Sequence, residues 1–366
     1  MEDGCYPEKL YAHEHQIQRA LNWLLHSGIQ SKNGGVARFY RSDRQINNPV
    51  STEITGYHAG TLAWLYTATG NQEALRRAIE TADFLVDKAW DATLRTFPFE
   101  YPHPSPTYFF DNGIIVRGLL AVWRITQTPR YWEVAQTCAE RMVLDFDAGF
   151  DFHPILSLPS KVAELRDPRW SRSSGCYQLK AAVGWHEISH ATEHKELYAA
   201  WDRLRIQAIE GHDEFLPGHT DQERVVDRLH AYCYFLEALL ATPQNPECSR
   251  AIAVGTQRVA YLLHKIAPAF VRSDVYAQLL RIRIYADHTG ALPLDVHTAA
   301  LEAEQLAAFQ LTSTDARIDG GFCFGRQGEQ MLPYVNPVST DFAVQALHLW
   351  HLRQTGLPLP PFAGLV

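Results

Sequence analysis

Residues 54–70 read ITGYHAGTLAWLYTATG, and residues 72–90 read QEALRRAIETADFLVDKAW. The first stretch is apolar on most sides and carries the small residues Gly56, Ala59, Gly60 and Ala63. A turn at Thr69-Gly70-Asn71 ends it, with Gly in its usual C-terminal role. In the second stretch Leu75, Ala78, Ala82, Leu85 and Val86 form one stripe, while Glu73, Arg76, Arg77, Glu80 and Asp83 fall mostly elsewhere. That spacing predicts an amphipathic surface helix. The unit is therefore a helical hairpin, with an inner helix buried all round and an outer helix buried on one face.

The hairpin recurs along the chain. DNGIIVRGLLAVWRITQT (111–128) precedes PRYWEVAQTCAERMVLDF (129–146), and SGCYQLKAAVGWHEISHAT (174–192) precedes HKELYAAWDRLRIQAIE (194–210). RVVDRLHAYCYFLEALLA (224–241) and SDVYAQLLRIRIYADHT (273–289) each precede a further amphipathic stretch. The last inner-type helix, within 338–354, has no outer helix after it. The first helix, within 8–27, is amphipathic and has no inner helix before it. A linear solenoid would leave both ends exposed, whereas pairing them closes a ring. The expected fold class is all-α, an (α/α)6 toroid closed by packing Glu8–Ser27 against Val338–Gln354. No linker or composition shift interrupts the 366 residues, so residues 1–366 read as one toroid domain.

Inner-to-outer turns are short. The outer-to-inner connections 90–110, 147–173 and 312–338 are long and rich in Pro, Gly and aromatics. Long loops in compact domains are usually functional, and these all reach the same rim. A site is therefore expected at the N-terminal ends of the inner helices. NGGVARFY (33–40) followed by NPVSTE (48–53) is echoed by DGGFCFGR (319–326) followed by NPVSTD (336–341). The first and sixth inner helices are neighbours in a closed ring, so the echo is expected to set Glu53 and Asp341 side by side, lining the largest pocket. Ser or Thr followed by an acid also caps a helix. Two carboxylates at one mouth can further divide into acid and base. Asp111 and Asn112 open the second inner helix, Asp227 the fourth and Asp274 the fifth, with Tyr177 opening the third. Glu53, Asp341 and Asp111 are the expected catalytic residues. Tyr57, Asn112, Tyr177, Asp227, His230, Asp274, Arg38 and Arg326 are expected to bind substrate. Tyr57 follows Glu53 by one turn, and His230 follows Asp227 by three residues, so each partner stays on its helix face. Arg38, Arg326 and Arg117 could hold a sugar acid's carboxylate or neutralise an acidic rim.

His186-Glu187-Ile188-Ser189-His190 matches the H-E-x-x-H zinc signature. The hairpin register places His190 two residues before a turn, at the rim opposite the long loops. Glu193 and Glu196 stand where the metzincin extension needs Gly and a third His. No metal site is therefore expected, and no cofactor: C-x-x-C and P-loop sequences are absent. The formal charge is −8, from 33 basic and 41 acidic residues, and no basic run offsets it, so nucleic acid is not an expected partner. No run of about 18 apolar residues predicts a membrane span. The start MEDGCYPEKL lacks the basic and apolar regions of a signal peptide. The six scattered cysteines therefore read as free thiols of a cytoplasmic protein.

The helix alternation, the EITGY opening and DNGIIVRGLLAVWRITQTPRYWEVA resemble the six-hairpin glycosidase superfamily, particularly uncharacterised bacterial members. The resemblance covers nearly the whole chain. It implies a saccharide substrate and one of three activities. A glycoside hydrolase would use funnel carboxylates, for which Glu53, Asp111 and Asp341 are the matching positions. An epimerase of the N-acylglucosamine 2-epimerase type would use inner-helix histidines, here His230 and His186. A non-catalytic glycan-binding toroid would use neither. The hydrolase is the leading expectation.

Overall fold

The structure, a computed structural model, describes residues 13–102, 105–216 and 221–366. Among them run twelve α-helices: α1 (Glu14–His26), α2 (Thr52–Thr69), α3 (Gln72–Phe84), α4 (Phe109–Thr126), α5 (Pro129–Asp145), α6 (Gln178–Thr192), α7 (Lys195–Phe215), α8 (Gln222–Leu239), α9 (Pro246–Ile266), α10 (Ser273–His288), α11 (Val296–Ala307) and α12 (Pro337–Thr355). The even-numbered helices are the inner ones. α2 buries every residue from Ile54 to Leu65. Its hairpin partner α3 buries only Ala74, Ala78, Thr81, Ala82 and Phe84, one stripe at helical spacing. Each inner helix packs on the next, and α12 packs back on α2, so the ring is closed. The (α/α)6 toroid expected from the hairpin repeat is the fold observed.

Closure uses the pairing anticipated from the odd helices at the two ends, since α1 lies against α12. The part of the expected first helix before residue 13, and Cys5, lie outside the described residues. Trp23 of α1 is fully buried, and its indole Nε1 donates to the Arg317 carbonyl at 2.9 Å. Arg19 Nη2 donates to Asp319 at 2.7 Å, and Gln310 donates to the Gln16 carbonyl at 2.7 Å. Gly321 lies against the Trp23 ring, where a Cβ would come within 2.7 Å of it. The outer-to-inner loops meet in short antiparallel strands around one rim. Val50–Ser51 pairs with Glu100–Tyr101, Thr107–Tyr108 with Ile155–Ser157, and Phe270–Arg272 with Gly325–Gln327. Tyr40–Arg41 pairs with Tyr334–Val335, stitching the first loop to the last.

The opposite rim is closed by the final segment. Phe362–Gly364 forms a short 3₁₀ turn, and Leu365 and Val366 reach between the inner helices. Gly60 has no side chain where Val366 packs. Gln345 accepts from the Val366 N–H and donates to the Gly364 carbonyl. Lys180 Nζ donates to the Val366 carbonyl at 3.0 Å and pairs with Glu237 at 3.1 Å. No described helix is long and apolar enough to cross a membrane.

If the Trp23 contact holds the ring shut, Trp23→Ala should cost about 3–5 kcal/mol of unfolding free energy. Chemical denaturation measures it, and a loss under about 1 kcal/mol would mean closure rests elsewhere.

Candidate active site at the inner-helix rim

The site begins with two glycines. A Cβ on Gly118 of α4 would sit 2.3 Å from the Gly56 carbonyl oxygen, and one on Gly56 of α2 would sit 2.9 Å from the Ile115 Cα. Only because neither residue has a side chain do α2 and α4 approach backbone to backbone. Glu53 lies in the first turn of α2, whose N-cap Ser51 accepts from the Ile54 N–H. Asp111 lies in the first turn of α4. The close approach makes the two carboxyls electrostatic neighbours. Burial pushes Glu53 up to about 7, against the pull of Arg38 and Arg272. Burial, then the Glu53 charge, holds Asp111 well above the usual carboxylate range, with Arg38 opposing. Asp111 is 5% exposed and its Oδ2 has no hydrogen-bond partner. Two such carboxyls titrate as a pair, so the first proton lost leaves the second held more tightly.

Cations and rings surround the pair. Arg38 pairs with Glu100 at 3.0 Å and lies over the Phe99 ring. Arg272 pairs with Asp274 and lies over Phe324. His230 of α8 is buried, with an unpartnered Nδ1, and burial followed by the Arg272 charge keeps it neutral. The Tyr57 hydroxyl is likewise buried without a partner. Trp170, from the 147–173 loop, meets His230 edge-on at 4.8 Å and Tyr177 at 5.2 Å, and Phe110 meets Tyr234 at 4.8 Å. Asp227 accepts from the Trp170 N–H at 2.9 Å and so holds that loop against the cluster. Unsatisfied polar atoms and aromatic faces thus stand together in this cluster.

Several expected residues sit elsewhere. Asp341 is 0% exposed, and its partner is His58 Nδ1 at 3.3 Å. The expected juxtaposition with Glu53 at the mouth fails because the echoed sequence is not the structural repeat. Val36 N–H donates to Thr55 Oγ1 and Phe322 N–H to Thr340 Oγ1, each at 3.0 Å. The Ser51 N–H donates to the Val36 carbonyl as Asn336 N–H does to Phe322. Ser51 therefore matches Asn336, and the NPVST motif is displaced by three residues between the two copies. α12 starts at Pro337 with Asn336 as its cap, so Asp341 falls one turn deeper, and Val338 occupies the place of Glu53.

Asp227 is not a first-turn residue either, because α8 begins earlier, with Asp221 as its cap. Asn112 is fully buried and ties Thr96, Thr107 and the Phe97 N–H together, a structural role. The Tyr177 hydroxyl donates to the Ser173 carbonyl. Arg326 lies over Phe309. Arg117 pairs with Glu187 toward the other rim. A cavity of about 450 Å³ opens at the other rim, beside His186 and His190.

No protein-family profile and no curated protein sequence matches the chain. Solved structures do. A sugar epimerase from a ruminal bacterium superposes with a TM-score of 0.71 at 9% identity, covering 96% of this chain and 100% of that one. Cellobiose 2-epimerase from Spirochaeta thermophila DSM 6192 gives 0.66 at 12% identity, over 93% and 96%. An inactive variant of an α-1,6-mannanase from Salegentibacter sp. gives 0.60 at 11% identity, over 92% and 99%. The fold shared with these structures is the (α/α)6 toroid. At such identities the likeness extends to the fold alone.

Arg272, Tyr234 and Trp170 were missed in the sequence. Tyr234 follows Asp227 by seven residues and His230 by four, a helical spacing that was legible. Trp170 was not, since a loop residue reaches the cluster only through tertiary contact.

Raised carboxyl pKa values mean that folding takes up protons, so stability falls as pH rises from the unfolded to the folded value. Glu53 should therefore lose the protein stability between pH about 4.5 and about 7, by up to about 3 kcal/mol. Urea midpoints of the wild type and Glu53→Gln across pH 4.5–8 should diverge in the variant's favour over that window and run parallel above it. A pH-independent difference would mean that Glu53 titrates as a free carboxyl.

Proposed function

We propose that the chain is a saccharide-transforming enzyme, a glycoside hydrolase working through Glu53 and Asp111 within a single toroid domain. The observation that carries this reading is the placing of two carboxyls, Glu53 and Asp111, in the first turns of the touching helices α2 and α4, where burial holds both up. Glu53 feels two guanidinium groups and Asp111 one, so Glu53 ionises first and Asp111 keeps its proton. Asp111 then donates to the glycosidic oxygen as its bond to the anomeric carbon breaks, and Glu53 takes a proton from the attacking water. An inverting hydrolase needs its two carboxyls about 6.5–9.5 Å apart, with room for the attacking water between them. Phe110, Tyr234 and Trp170 would stack on the sugar, with Tyr57 and His230 as hydrogen-bond partners. Asp341, enclosed with His58, serves the ring rather than the reaction. The five described cysteines are free and buried, which fits a reducing, cytoplasmic setting.

One observation favours a second reading. His230 is neutral and buried with an open Nδ1, as a base abstracting a proton beside a carbonyl needs to be, so a sugar epimerase is the alternative.

A panel of oligosaccharides assayed for new reducing ends tests the first reading. Glu53→Gln and Asp111→Asn should each lower kcat/KM by about 10²–10⁴-fold without lowering the melting temperature. Product formed in deuterium oxide should carry no carbon-bound deuterium. Deuterium in the sugar, with turnover lost in His230→Ala and retained in both carboxyl variants, would replace hydrolysis by epimerisation.

A further inference from the structure

One roomy cleft takes no part in the chemistry above. It lies at the rim opposite Glu53, where the inner helices α4 and α6 end, and it holds about 450 Å³. Its walls include Trp123, Arg124, Trp132, His186, Glu187 and His190. We propose that this cleft is a second saccharide site, taking a neutral pyranose of one or two rings.

The argument starts from the lining. Small-ligand sites are concave, about 300–1,000 Å³, mostly apolar, and carry a few convergent polar groups. Trp123 and Trp132 are half-buried, with ring centroids 4.6 Å apart and planes tilted by 48°, so they present a bent aromatic wall. A pyranose offers an apolar face of C–H bonds to such a wall and hydroxyls to its edges. The edges here are imidazoles. His186 Nε2 and His190 Nε2 lie 2.9 Å apart, one donating to the other. Burial and the neighbouring His190 lower His186 to about 4, so at neutral pH it is an uncharged donor and acceptor.

The charge balance selects a neutral ligand. Arg124 and Glu187 are the only charged residues in the lining, and they pair with each other at 2.7 Å. Glu187 is also held by Arg117 at 3.4 Å. An anion would have to displace Glu187 from Arg124, and a cation would have to displace Arg124. A metal at the histidine pair lacks a third ligand, since no group of three or more His, Cys, Asp or Glu among the described residues could hold one.

The test is direct binding to the full chain. Methyl β-D-glucopyranoside, methyl α-D-mannopyranoside and cellobiose serve as probes, read by titration calorimetry and saturation-transfer NMR. At least one probe should bind, and His190→Ala and Trp132→Phe should each weaken that binding at least tenfold while the melt and any turnover stay unchanged. The same binding should persist in Glu53→Gln, which separates this site from the upper one whatever becomes of the hydrolase reading. Three results would overturn the proposal: no response to any probe, binding unchanged in both cleft variants, or one zinc per chain lost in His190→Ala without any saccharide response.

Discussion

An inner helix with no polar face must be covered on every side, and six of them in sequence satisfy that demand only by closing on themselves. The outer helices cover the ring from outside with single stripes, and α1 supplies the cover that α12 otherwise lacks. The axis is the remaining gap, and it is filled by the segment ending in Leu365 and Val366. That filling carries buried polarity with it. Lys180 and Arg281 are fully buried and both pair with the buried Glu237, with Gln345 and the last main-chain groups completing the network. Buried charges of this kind are tolerated only when every partner is present, so the network ties the tail to the ring.

The same close packing makes the candidate site. Gly56 and Gly118 let α2 and α4 touch, and the touching backbones bring Glu53 and Asp111 within electrostatic reach. Desolvation then keeps both carboxyls reluctant to ionise, which costs stability near neutrality and supplies a proton donor beside a proton acceptor. The strands of the long loops hold Arg38 and Arg272 around this pair, each braced over an aromatic ring. Chemistry and architecture thus share a cause, the absence of side chains at the α2–α4 contact.

The alternation of all-apolar and one-faced helices, the unpaired helices at both ends, and the long loops on one rim were readable because they follow from residue periodicity. Burial is a property of a whole face, and a face repeats. Of the candidate cluster, Glu53, Asp111, Tyr57 and His230 could be named because first-turn and one-turn offsets survive in the linear order. The place of His186 and His190 at the far rim was likewise legible, because it follows from counting helical turns.

The echoed NPVST segments mark where that legibility stopped. In the first copy Val50 and Ser51 pair with Glu100 and Tyr101, so the helix waits until Thr52. In the second, Tyr334 and Val335 pair with the first loop, Asn336 caps, and Pro337 takes the first helical position, where its missing N–H costs nothing. Identical residues therefore stand three positions apart in the two helices, and Asp341 is carried from the mouth into the wall. The sequence by itself determined the hairpins and pointed to the closing of the ring, because burial repeats along each helix face and the two unpaired end helices supply each other's cover. Only the tertiary structure decided which carboxyls meet, because helix starts are set by partners from distant loops, and a shift of three residues moves a side chain by nearly a full turn.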